Sequence, residues 1–150
     1  STLNEVELRP YFKQLCQSLG ASMIHDPEQL SLDVTADESV VKPNVSVSLG
    51  LIVTELVINA LKHAFPDGRT GKIVVDYHAR GPNWSLSVTD NGVGMPQDPA
   101  DARPGLGTSI VEALARQLDA VVQVAAAHPG TAVTVARSQI AAVRPTAEAV

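Results

Sequence analysis

Between Val45 and about Phe65, the apolar residues Leu49, Ile52, Val53, Leu56, Val57, Ala60 and Ala64 recur every three or four positions. That spacing predicts a helix whose apolar face is too wide for a solvated surface, so most of it must lie against another layer. Pro66-Asp67-Gly68 ends it. The covering layer is legible on both sides of this helix. Before it, Leu30, Leu32 and Val34 alternate with polar partners after Pro27, as a half-buried strand does, and Asp37 to Pro43 reads as a connection. After it, Lys72 to Ala79 and Trp84 to Asp90 alternate in the same way. Arg80-Gly81-Pro82-Asn83 has turn chemistry and predicts that these two strands pair antiparallel.

The remaining segments extend the pattern. Leu8, Tyr11, Phe12, Leu15 and Leu19 stand at helical spacing within residues 4–19, with Asn4 as a candidate N-cap and Gly20 as a stop. Cys16 beside that stripe reads as a small buried hydrophobe. A third helix is expected from about Gly105 to Leu118, with Ile110, Val111, Leu114 and Leu118 inward. Strands near Ala120 to Ala126 and Thr131 to Arg137 close the chain, separated by His128-Pro129-Gly130. Residues 141–150 lack large apolar side chains and read as a frayed tail. The expectation is one domain over residues 1–140 in the α+β class. It is a two-layer sandwich of about three helices on one mixed, mostly antiparallel sheet.

Composition narrows the function. The 150 residues carry 16 acidic and 11 basic side chains, a formal net charge of -5, with no basic cluster larger than a pair. Phosphate neutralisation along a nucleic acid is therefore not expected. A single cysteine leaves no internal disulfide and makes a reducing, cytoplasmic setting the default. His25, His63, His78 and His128 show no zinc-ligand spacing. Purely apolar runs fall well short of the roughly 20 residues that span a bilayer, and no leader pattern opens the chain, so no membrane contact by this domain is expected.

Three segments could carry chemistry. On the central helix, Glu55, Asn59 and Lys62 fall within an arc of roughly 60°. A carboxylate, an amide oxygen and a cation in one row suit a Mg²⁺ and phosphate site, although the same stripe also fits a solvated helix face. His63 beside it fits packing or capping as well. Asp90-Asn91-Gly92-Val93-Gly94-Met95 follows an alternating strand. Asn-Gly there is a hairpin signal, but no second strand follows between Met95 and Pro104, which suits a loop that a ligand approaches closely. Gly105-Leu106-Gly107-Thr108-Ser109 opens the third helix, where free N–H groups and the helix dipole favour an anion; loop glycines with ordinary Thr/Ser capping are the other reading. No Gly-Lys-Ser/Thr ending marks a P-loop, and Ile110 stands where a dinucleotide fingerprint needs its third glycine.

In this order the three segments resemble the Bergerat-type ATPase superfamily of gyrase-type topoisomerases, heat-shock chaperones, mismatch-repair ATPases and histidine kinases. Thr54 to Phe65 (TELVINALKHAF) looks like the N box, Asp90 to Met95 like the G1 box and Gly105 to Thr108 like the G2 box. The wording of the N box is most similar to the HWE-related histidine kinases. Val6 to Phe12 looks like the segment after their dimerisation helices. The Trp-x-Glu of that class is not matched, since Ser85 and Leu86 follow Trp84.

The resemblance implies an ATP site with Mg²⁺. Asp90 would accept a hydrogen bond from the adenine amino group, and Gly92 and Gly94 would keep the loop near the base. Asn59 would hold Mg²⁺, Lys62 would contact phosphate, and His63 matches the N-box histidine. Gly105, Leu106, Gly107 and Thr108 would cradle the phosphate tail, with Met95 to Pro104 as the lid. Glu55 would polarise the attacking group, and Thr131 would help seat adenine unless it is a plain strand residue. The implied acceptor is a histidine on a separate dimerisation domain of the parent kinase, with a response regulator downstream. A serine kinase of the anti-sigma-factor type and a non-catalytic nucleotide-binding module are the alternatives.

Overall fold

The computed structural model describes residues 4–94 and 108–138. Three helices, α1 (Leu8–Met23), α2 (Pro43–His63) and α3 (Thr108–Gln117), lie on one face of a five-stranded sheet. The sheet strands are β2 (Leu30–Ala36), β4 (Gly71–Arg80), β5 (Asn83–Asp90), β6 (Val121–Ala126) and β7 (Thr131–Arg137), in the order β2-β4-β5-β7-β6. Only β2 and β4, the pair on either side of α2 in the chain, run parallel. The pairs β4–β5, β5–β7 and β6–β7 are antiparallel. The α+β class, the mixed sheet and the hairpin across residues 80–83 are as the sequence predicts.

One face of the sheet is dry. Ile73, Val75 and Tyr77 of β4, Leu86 and Val88 of β5, and Val135 of β7 are buried against the apolar stripe of α2, which supplies Leu49, Ile52, Val53, Leu56, Val57 and Ala60. Leu8, Phe12 and Cys16 of α1 and Val111 and Ala115 of α3 close the core on either side. Burial raises the Cys16 thiol to about 11, in keeping with an inert core residue. The other face follows the period of two and carries Asp76, His78, Ser85, Ser87 and Thr89. By length and mean hydropathy, 1.6, α2 could cross a membrane, but its apolar side is occupied by the core.

The boundaries depart from the sequence expectation in three places. The first helix runs to Met23, past Gly20, because Ile24 N–H still bonds the Gly20 carbonyl at 2.9 Å. It begins at Leu8 and not near Asn4, since Val6–Glu7 (β1) pairs antiparallel with Val40–Val41 (β3) inside the segment read as a connection. Helix α2 starts at Pro43, whose fixed φ suits the first helical position and whose missing N–H costs nothing there. The segment Met95–Pro104 expected as a lid, the glycines Gly105 and Gly107 with Leu106, and the tail 141–150 expected to fray lie outside the described residues.

Candidate functional site

Asp90 is the last residue of β5 and sits on the helix-facing side of the sheet, only 8% exposed. Its cross-strand neighbours there are Ile73 and Thr131. Gly92 N–H donates to Asp90 Oδ1 at 2.9 Å, and the backbone N–H of Thr131 also bonds the carboxylate. Burial raises the Asp90 pKa above its ordinary value, and these two N–H groups only partly offset that. Thr131 therefore reaches the site through its main chain as well as its half-buried side chain.

The loop after Asp90 is fastened to the end of α2. Val93 N–H donates to the Ala64 carbonyl at 2.9 Å. Gly92 is buried in that joint, and a Cβ on it would overlap the Ala64 carbonyl oxygen. Gly94 has a φ of 83° and lies beside Gly130, which in turn leaves no room for a side chain against the Asp90 carbonyl. The close approach that the sequence assigns to a ligand at this loop is made at Gly92 by the protein's own backbone, and the same holds at Gly130, which the sequence reading did not single out.

Measured back from Ala64, Asn59 lies about 7.5 Å and Glu55 about 13.5 Å along the α2 axis. Both are half-buried, whereas Lys62 and His63 are exposed in the last turn, where cations complement the helix dipole. Asn59 has a hydrogen-bonding or electrostatic partner in the fold. The structure therefore gathers Asp90, Gly92 and Thr131 in one hydrogen-bonded cluster, fastens the loop to the end of α2 through Gly92 and Val93, and leaves the polar stripe running away from that joint. Thr108 is the first residue of α3, which packs against α2.

The open end of the sheet has chemistry to match. Two residues up the strands from Asp90, Thr131 and Ala126, the row Val88, Val133 and Val124 faces the same side, and Val124 is 45% exposed. A buried carboxylate beside an apolar row whose outer member, Val124, is exposed can hold a flat base that offers an N–H donor. The amide oxygen of half-buried Asn59 is a hard donor of the kind Mg²⁺ accepts alongside phosphate and water, so this residue fits a magnesium nucleotide.

Residues 44–139 match the family described as "Histidine kinase-, DNA gyrase B-, and HSP90-like ATPase". The chain belongs to this family. It is an ATP-binding domain of the Bergerat type. "Blue-light-activated histidine kinase 2" of Erythrobacter litoralis is 32% identical over 108 residues, which are 71% of this chain and 31% of that protein. The chain thus spans about a third of that curated relative. The histidine kinase domain of the E. litoralis EL346 blue-light-activated kinase superposes with a TM-score of 0.75 at 26% identity, covering 88% of this chain and 61% of that one. The catalytic domain of the histidine kinase ThkA shares the fold, with a TM-score of 0.70 at 17% identity over 89% of this ATPase domain and 94% of that chain.

Sequence reasoning singled out Asp90, Gly92, Gly94 and Thr131 but not Asn91, Gly71, Ala64 or Gly130, which shape the same joint. The Asn-Gly pair at 91–92 was the available signal, and it reads as a turn whether or not the side chain has a further task.

Proposed function

We propose that the chain is the Mg-ATP-binding catalytic domain of a cytoplasmic histidine kinase, which transfers the γ-phosphoryl group of ATP to a histidine on a separate dimerisation domain for relay to a response regulator. The observation that carries this reading is the placement of Asp90: a buried carboxylate at the end of β5, joined through Gly92 and Val93 to the end of the helix that carries Glu55 and Asn59. The adenine amino group would donate to Asp90, and a guanine carbonyl there would meet another acceptor, so the site selects ATP over GTP. Asn59 would hold the Mg²⁺, which when bound would supply neutralisation of phosphate charge. Lys62 would face the phosphates, with His63 next to it in the same turn, and Gly105 to Thr108 would supply N–H groups to the phosphate tail.

Glu55 would accept the proton of the attacking imidazole. As the nitrogen–phosphorus bond to the acceptor histidine forms, the bond from the γ-phosphorus to the bridging oxygen breaks, and ADP leaves with its electron pair. Incubating the domain with labelled ATP, Mg²⁺ and a supplied dimerisation domain tests the reading. An acid-labile phosphohistidine is expected, whereas an acid-stable product would assign a serine kinase of the anti-sigma-factor type. Glu55→Gln should bind ATP within a few-fold of wild type yet lose most transfer, and Asn59→Ala should lose the Mg²⁺-dependent part of binding. Asp90→Ala should weaken ATP by about 10- to 150-fold, the worth of a hydrogen bond to a charged acceptor; affinity within a few-fold of wild type removes the adenine assignment.

A further inference from the structure

Two hydrogen bonds join Asn91 to Lys72, and only one of them uses the Asn91 main chain. Asn91 N–H donates to the Lys72 carbonyl at 3.3 Å, while Lys72 N–H donates to Asn91 Oδ1 at 2.8 Å. Ile73 and Asp90 are the last paired residues of β4 and β5 on this side. In an antiparallel ladder the next rung would exchange two main-chain bonds. Here the side-chain amide oxygen of Asn91 takes the place of its own carbonyl. The carbonyl is released from the sheet, and the chain can leave β5 at once and reach Ala64 of α2 two residues later. Gly92 N–H, oriented by the same turn, then bonds Asp90 Oδ1.

A second residue makes room for this arrangement. A Cβ at Gly71 would stand 2.5 Å from Asn91 Oδ1 and closer still to the Phe65 ring, so the absence of a side chain at the start of β4 is what lets the amide lie there. Asn91 is exposed, yet its amide oxygen is committed to the sheet edge.

The geometry points to Asn91 as the positioning residue for Asp90: its amide oxygen ends the β4–β5 ladder and fixes the turn that aims the Asp90 carboxylate at the base. This rests on the reading of Asp90 as the adenine acceptor. Asn91 spends its amide oxygen on Lys72 and would act on the base through Asp90, so its effect should fall on base affinity and base choice.

Titration of the domain with Mg-ATP and Mg-GTP, for wild type, Asn91→Ala, Asn91→Asp and Asp90→Ala, tests the proposal. Asn91→Ala should weaken ATP about five- to tenfold, the loss of one hydrogen bond, and shrink the ATP-over-GTP preference by a similar factor. Asn91→Asp retains the acceptor oxygen and should restore both. A lowered melting temperature with an unchanged ATP-over-GTP preference would mark a merely structural role and overturn the proposal. So would an Asn91→Asp protein that binds ATP as weakly as Asn91→Ala, or one about tenfold weaker than wild type should Asn91→Ala not fold. Asp90→Ala separates the two levels. If it binds ATP as wild type does, the adenine reading falls and the positioning role falls with it. If it loses ATP while Asn91→Ala does not, only the role of Asn91 is removed.

Discussion

Asp37 and Asp90 face opposite ends of β4 and are held in opposite electrostatic senses. Asp37 accepts Ser39 N–H at 3.0 Å and the Ser39 hydroxyl on one oxygen and Ala79 N–H at 2.7 Å on the other. Burial alone would raise its pKa, but these bonds and the nearby His78 outweigh it and hold the carboxyl below its ordinary value. A depressed folded value means that the carboxylate stabilises the fold fully above the unfolded pKa, and that this contribution is lost as pH falls through the folded one. Asp37→Ala should cost about 1.5–3 kcal/mol in urea unfolding at neutral pH. It should also remove part of the acid sensitivity of wild type; a loss within about 0.5 kcal/mol, the range of a plain surface change, would contradict the role.

For Asp90 the sign reverses. Its raised folded value favours the protonated form in the fold, so the ionised group costs stability above that value and the cost fades as pH falls through it. Affinity for ATP should decline over the same descent, because the acceptor is being protonated, and should begin to decline at a higher pH than an ordinary aspartate would give. Titrating ATP into the domain across the mildly acidic range measures this. At this scale the sequence made Asp90 and Glu55 visible, since their meaning depends on spacing along one strand or one helix. Asn91 was invisible as a separate agent because its partner, Lys72, is brought to it only by the strand pairing.

Among the elements, the joint between the G1 loop and the end of α2 is the least tolerant. Gly92→Ala would drive a Cβ into the Ala64 carbonyl. Either α2 or the loop must shift, at about 1–3 kcal/mol for a close-packed site, and Gly92 N–H would lose its line to Asp90. Urea unfolding and ATP titration should show both losses together; wild-type values in both would mean that the joint is slack. The sequence did place a close approach at this glycine, on the reasoning that a ligand would need it. That the approaching group is a helix end follows from tertiary packing, which no local pattern encodes. For the same reason α1 runs through Gly20. A glycine lowers helix propensity by roughly 1 kcal/mol, and the burial of Leu8, Phe12 and Cys16 below it is enough to carry the helix on. The β1 and β3 strands of two residues each are too short for any period to show.

Over the whole molecule, the class, the helix count and the alternation of the sheet were legible because each follows from a hydrophobic period. The strand order β2-β4-β5-β7-β6 and the parallel β2–β4 pair were not, since they depend on which edges meet after collapse. The crossover from β2 through α2 to β4 puts Glu55 and Asn59 on the helix that lies between the two parallel strands in the chain. With a net charge of -5 and no basic run longer than a pair in the sequence, the proposed site would depend on a few placed groups to hold phosphates.

Trp84, the sole tryptophan, is the second residue of β5 and stacks on Tyr77 at 6.0 Å between ring centroids, and Tyr77 in turn meets Phe12 at 5.9 Å. Asp90 closes the same strand about 20 Å away. The indole therefore reports on the cohesion of α1, β4 and β5 and stands far from the proposed adenine acceptor. Its emission should shift sharply on urea unfolding and stay constant through an ATP titration, giving the domain an internal optical gauge of folding that is blind to occupancy.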